Sequence, residues 1–227
     1  MAVEVLFIRH GEPAWERLGL SVDDPDLTDR GQQQAELLAW RLRDVALDRV
    51  FVSPLRRAQQ TVAPLATSRG IEPETLDFLA EITNPDWEGT PVDEVEETFA
   101  ASRNRPVEEH WEGLPGGESF RGFHERVTTG LRKLFIDLGA DRTHDDPPLY
   151  ALDRAPYRVA IVAHTGTNSV SIGHLLGIRP VPWEWERFVS FHASVSTLRT
   201  VEIANAHAFS LFRFGDTSHL PDDLQTV

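Results

Sequence analysis

Apolar positions along the chain follow two rhythms, and where the rhythm changes an element boundary is predicted. Residues 3–8 (VEVLFI) form a short apolar, β-branched run that ends at a charged cluster and Gly11, the pattern of a buried strand. After a polar connection containing Pro25, Thr28 and Asp29 can cap a helix in which Ala35, Leu38 and Leu42 recur at spacings of three and four. That helix is expected to stop near Asp44. A second short strand follows at 50–52, and Pro54 is suited to the first turn of a helix over 55–68 that Gly70 terminates. Strand then helix, twice over, implies parallel strands joined by crossover helices, hence an α/β sheet covered on both faces.

The next stretch, 83–117, is less regular and rich in Glu, Pro, Gly and Trp, with one predicted helix over 92–101. It reads as an insertion over one end of the sheet, with 84–117 as a lid or specificity segment. From Ser119 onward, Phe120, Phe123, Val127, Leu131, Leu134 and Leu138 keep a helical period. Residues 141–156 (DRTHDDPPLYALDRAP) are polar and contain prolines, so a flexible surface connection is expected there. The most apolar strand is 159–163, followed by a helix over 167–176 ending at Gly177, and two strand-like runs, 195–201 and 208–214, close the sheet. The polar tail 216–227 is expected to fray. Without repeats or a linker, 1–227 reads as one domain.

Composition narrows the chemistry. The 227 residues are 41% hydrophobic and 26% charged, which suits a globular core and excludes disordered and fibrous classes. There is no cysteine, which removes disulfides, thiolate metal sites and every cysteine-nucleophile mechanism. Apolar runs fall far short of the roughly 18 residues of a membrane span, and MAVEVLF lacks a basic segment followed by an apolar one, so a cytoplasmic protein is expected. A formal charge of −14 repels polyanions, making nucleic acid and anionic membrane poor partners. Homo-oligomerisation is left open.

Ligand sites in open α/β sheets lie past the carboxyl ends of strands. Arg9 and His10 follow the first strand, 53–57 the second, Glu81 a third, and His164, Thr165 and Gly166 the strand 159–163. Any one of these could be a surface turn, a solvated helix face or a satisfied core histidine; together they describe a phosphoryl-transfer site without metal. Arg9 and Arg56 can pair bidentately with phosphate oxygens, and Arg57 reads as a salt-bridged helix residue. His10, unprotonated, is a competent nucleophile, and Gly11 lets the backbone turn and approach the phosphate. A protonated His164 would add positive charge, and the Thr165 backbone N–H can face the phosphate. Glu81 is the candidate acid for the leaving oxygen, since the charge of a bound phosphate favours a protonated carboxyl there. Glu12 and Glu88 are read as supporting or surface carboxylates, and Trp183 and Trp185 as packing residues. The other histidines lack metal-ligand spacing, so no metal and no cofactor are expected.

The runs LFIRHGEP (6–13), SPLRRAQQT (53–61), LAEITNPDWEG (79–89), PGGES (115–119) and VAHTGT (162–167) together resemble the histidine phosphatase superfamily, also called the phosphoglycerate mutase-like family. They occur in the family's order and extend to about Gly177. The resemblance implies a three-layer α/β/α sandwich with a mostly parallel sheet and a phosphohistidine on His10. It also implies phosphoryl binding by Arg9, Arg56 and His164, and Glu81 as proton donor, with no metal required.

Three departures bear on substrate. Many members carry Asn after the first motif's Trp, whereas Glu16 follows Trp15 here; as a substrate-rim residue it would repel a second phosphate or a carboxylate. Thr165 stands where Gly is common, and the Glu-Arg-His-Tyr-Gly type stretch of cofactor-dependent mutases is absent between Asn84 and Gly117. The expectation is therefore a metal-independent phosphomonoesterase acting on a small phosphorylated metabolite. The alternatives are a phosphoglycerate mutase-like isomerase and a non-catalytic phospho-ligand binding protein on the same fold.

Overall fold

A computed structural model describes residues 2–153 and 156–227. In chain order the elements are β1 (Val3–Arg9), β2 (Glu16–Arg17), β3 (Leu20–Ser21), α1 (Asp29–Leu42), β4 (Arg49–Val52), α2 (Arg56–Arg69) and β5 (Glu74–Thr75). Then come α3 (Val92–Ser102), α4 (Val107–His110), α5 (Phe120–Asp137), β6 (Ala140–Asp145), β7 (Pro148–Leu152) and β8 (Tyr157–Ala163). The chain closes with α6 (Thr165–Leu175), α7 (Glu184–Arg187), β9 (Val195–Ile203) and β10 (Ala206–Asp216).

Local chemistry accounts for the helix ends. Thr28 caps α1 by accepting from Gly31 N at 3.0 Å, and Ser119 caps α5 through Gly122 N at 3.1 Å. Gly70 ends α2 in the left-handed region at φ 61°, where a side chain would be strained. Helix α2 begins at Arg56 rather than at the predicted 55, which leaves Pro54 before the cap.

Eight strands form one sheet in the order β5-β4-β8-β1-β9-β10-β7-β6. The four central and left-hand strands, β5, β4, β8 and β1, run parallel, and β9, β10, β7 and β6 extend the sheet antiparallel. Alternation along the strands sends side chains to two cores. Val3, Val5 and Phe7 pack with Leu131, Phe135 and Ile172 of α5 and α6 on one face. Leu6 and Ile8 pack with Leu38, Val62 and Leu65 of α1 and α2 on the other. This is the expected three-layer α/β/α arrangement. The insertion carries α3 and α4, neither of which has a buried residue, and it lies against the strand ends that hold the site.

Two expectations fail. The stretch 141–156 holds the hairpin β6–β7 instead of a surface connection, with Arg154 and Ala155 outside the described residues. Its polar composition hides Tyr150, which is buried and packs edge-on to Phe209 with ring centres 5.0 Å apart. The tail 216–227 does not fray: Leu220 is buried, and Gln34 Nε2 donates to Leu224 O at 2.7 Å and to Thr226 Oγ1 at 3.0 Å. Among the described residues no helix is long and apolar enough to cross a membrane.

Candidate active site

Parallel pairing of β1, β8 and β4 brings three strand ends side by side. Arg9 pairs with Ala163, Val52 with Val162, and His10 N donates to Ala163 O at 2.9 Å. Consequently His10, His164 and Ser53, the first residues past those strands, face one another, with the two imidazole centres 5.1 Å apart. His164 Nε2 lies 2.7 Å from Ser53 Oγ, and α6 starts immediately after His164.

His10 is held in one tautomer. Its Nδ1 lies 2.7 Å from Gly11 O. A carbonyl only accepts, so Nδ1 carries the proton and Nε2 keeps its lone pair. Burial, helped by the neighbouring His164, Arg57 and Arg9, pushes His10 well below its usual imidazole range. The ring is therefore neutral at pH 7. Gly11 is required for a close approach rather than for a turn with positive φ: a Cβ there would come within 2.7 Å of Gly31 O. Its N–H donates to Thr61 Oγ1 at 2.9 Å, and Thr61 Oγ1 donates to Arg57 O at 2.6 Å, tying this loop to α2.

Of the two arginines in SPLRRAQQT, the structure brings in Arg57 and turns Arg56 away. Arg57 is 3% exposed, and burial lowers its pKa against the opposing pull of Glu81 and Asp24. Its Nε has no hydrogen-bond partner, and its Nη1 has only an ion contact with Asp24 at 3.5 Å. Arg56 is exposed and pairs with Asp26 at 2.6 Å. Helical phase explains the choice, because 57, 58, 61, 62 and 65 make the buried face of α2 and position 56 falls outside it. That phase was readable in the sequence and identifies Arg57 as the residue the motif contributes.

Arg9 donates from Nη1 to Ser190 O at 2.5 Å and from Nη2 to His192 Nε2 at 2.9 Å, leaving Nε buried without a partner. Burial brings Arg9 down to about 10, with Glu81 opposing and Arg57 adding to the shift, so it stays cationic at neutral pH. Burial first, then Arg57, Arg9 and Arg126, hold His164 well below the usual imidazole range; the protonated form was expected only beside a bound dianion. Its Nδ1 has no partner. Thus the buried nitrogens Arg9 Nε, Arg57 Nε and His164 Nδ1 surround His10 with unused hydrogen-bonding capacity, which fits an anionic ligand.

Glu81 reaches the same centre by a different route from the expected one. It follows a 3-10 turn at Asp77–Leu79, not a strand, and accepts from Gly166 N at 2.8 Å and Ile82 N at 3.0 Å. Arg126 of α5, which sequence reasoning missed, fixes this segment by donating to Phe78 O and Ala80 O at 3.1 Å each. Thr165 lines the adjoining cavity with its Oγ1 buried and unpartnered. Glu16 is exposed, its Oε1 accepts from Gly19 N at 3.1 Å in the β2–β3 hairpin, and it does not line the cavity beside Arg9.

His192 was also missed. Arg9 Nη2 can only donate, so His192 Nε2 accepts and Nδ1 donates to Thr226 Oγ1 at 2.9 Å. Burial and the Arg9 charge lower His192 to about 3 against the backbone bond from Thr226. Beside Arg9, Glu81 and Thr165 opens a cavity of about 930 Å³, walled by the insertion on one side and the segment entering α7 on the other. Among the described residues no three His, Cys, Asp or Glu side chains form a group able to hold a metal ion.

Comparison with known proteins gives this arrangement a context. The sequence model of the histidine phosphatase superfamily (branch 1) matches residues 5–206. Phosphoserine phosphatase 1 of Hydrogenobacter thermophilus is 37% identical over 58% of this chain and 64% of its own length. A Salmonella typhi protein named "Probable phosphoglycerate mutase GpmB" is 32% identical over 57% of this chain and 61% of its own. The matches thus span a little under two thirds of these relatives. A mycobacterial glucosyl-3-phosphoglycerate phosphatase shares the fold, with a TM-score of 0.71 at 21% identity over 96% of this chain and all of that one.

Proposed function

This chain belongs to the histidine phosphatase superfamily (branch 1), and we propose that it hydrolyses a small phosphorylated metabolite through a phosphohistidine on His10. The observation that carries the reading is the bond from His10 Nδ1 to Gly11 O, which leaves Nε2 free to attack, beside the buried Arg57 and the half-buried Arg9. Arg9 and Arg57 hold the phosphoryl oxygens and stabilise the charge they carry in the transition state. His10 Nε2 attacks phosphorus as the ester P–O bond breaks, and Glu81 delivers a proton to the departing alkoxide. The resulting carboxylate then takes a proton from water, whose oxygen attacks the phosphohistidine and releases inorganic phosphate with His10 restored.

Hydrolysis is preferred to mutase chemistry, although Glu16 does not supply the reason, since its carboxylate is held by Gly19 N in the hairpin. The preference rests on the cavity's cations beyond Arg9, which already have partners: Arg103 faces Glu186, and Arg105 donates to Gly113 O and Glu109 O. A phosphorylated intermediate held for return to substrate needs a second anion subsite. Quenched reactions with labelled aryl phosphate should yield a base-stable, acid-labile phosphoprotein that His10→Ala abolishes. Label retained in that variant, or undiminished turnover, rejects the reading.

A further inference from the structure

We propose that the cavity beside Arg9 selects phosphomonoesters whose leaving group carries a bulky aromatic ring and no second anionic group; this rests on the phosphatase reading above. At about 930 Å³ the cavity lies near the upper end of small-molecule sites, and a leaving group the size of serine or glycerate would leave most of it to water. Its walls are built of rings from separate parts of the chain: Phe99 and His110 from the insertion, Phe120 from α5, and Trp183 and Trp185 around the start of α7. These rings hold one another. His110 meets Trp183 edge-on at 5.5 Å and Phe120 meets Trp185 at 6.0 Å, so a ring entering the cavity finds aromatic edges and faces already placed.

Charge points the same way. Arg105 spends Nη1 on Gly113 O and Nη2 on Glu109 O, and its Nε is shielded from solvent. Arg103 faces Glu186 at 3.7 Å, and Glu118 is paired with Arg126 at 2.7 Å. A second phosphate or carboxylate would meet Glu186 beside Arg103 and Glu118 beside Arg126, carboxylates that offset the positive charge there, whereas an apolar ring covers the walls without that repulsion.

The test compares ethyl phosphate, 2-phenylethyl phosphate, 2-(1-naphthyl)ethyl phosphate and O-phosphoserine. All four release primary alkoxides, so differences in leaving-group chemistry stay small. The kcat/KM should rise roughly 10- to 100-fold from ethyl to 2-phenylethyl phosphate, rise again for the naphthyl ester, and be lowest for ethyl phosphate or phosphoserine. In Trp185→Ala, and separately in Trp183→Ala, the 2-phenylethyl to ethyl ratio should fall by about fivefold or more. The ratio is independent of the fraction of folded enzyme. A wild-type ratio near one, a preference for phosphoserine, or a ratio unmoved in both variants overturns the proposal. Hydrolysis of none of the four esters instead rejects the phosphatase reading on which it rests.

Discussion

Arg9 and His192 meet at 2.9 Å, the guanidinium Nη2 donating to an imidazole whose other nitrogen is bonded to Thr226. Thr226 Oγ1 also accepts from Gln34 Nε2 at 3.0 Å, and Gln34 Oε1 accepts from Glu12 N at 2.7 Å, two residues past His10. A closed network therefore connects the tail to both sides of the His10 loop and holds the Arg9 guanidinium through Nη1 and Nη2, leaving Nε without a partner.

Removing this support should loosen Arg9 without removing it. His192→Ala and Thr226→Val should each lower kcat/KM about tenfold, mainly through a higher KM, because one charge-assisted contact is lost. Thr226→Ser keeps the hydroxyl and should restore wild-type values. Steady-state kinetics on all three checks this, and a Ser variant as impaired as Val would assign the effect to packing.

The two arginines of α2 should separate cleanly. Arg57→Ala should reduce kcat by about 100-fold or more, the scale for losing a preorganised donor to developing charge. Arg56→Ala should change it by less than about threefold, since Arg56 pairs with Asp26 at the surface. The opposite order would return the role to Arg56.

Gly11→Ala should destabilise the fold by roughly 1–3 kcal/mol, because the new methyl meets a backbone carbonyl that cannot move independently of α1. Urea denaturation measures this, and wild-type stability would show that the β1–α1 contact yields.

Buried histidines set an acid limit on stability. His174 is lowered from 6.5 to about 4 by burial and then by Arg142, and His192 to about 3 by burial and then by Arg9. Above pH 6.5 neither folded nor unfolded chain protonates them; below it the unfolded chain takes up protons that the folded chain refuses. Stability should therefore fall as pH drops from 6.5 to about 4, by about 1.4 kcal/mol per pH unit for each such group. His174→Gln should flatten that slope in urea titrations across the window, and an unchanged slope would remove His174 from the account.

In the proposed mechanism two arginines supply the positive charge that a divalent ion provides in other phosphoryl-transfer sites. Activity should survive dialysis against excess chelator. A loss restored by Mg²⁺ or Zn²⁺ would overturn the metal-free mechanism.

The sequence by itself determined the alternation that builds the sheet and its two helical layers. Val3 to Ile8, the 35, 38, 42 stripe and the 120 to 134 stripe are local periodicities, and a strand or helix of such a pattern has one face it must bury. It also placed Arg9, His10 and His164, because a residue next to a buried strand end has little freedom in where it goes. Side-chain direction one step further on was a matter of phase: the choice between Arg56 and Arg57 turned on which position of α2 meets the core. Glu16 depended on a hairpin turn that captured its carboxylate, and Glu81 on carbonyls held by Arg126 from a helix 45 residues away. Only the tertiary structure joined His192 and Thr226 to Arg9, and only it docked a polar tail that looked free. Those contacts pair polar groups far apart in the chain, and polar pairing carries no period along a sequence. Its partners are selected when the folded core excludes water and each buried donor must find an acceptor.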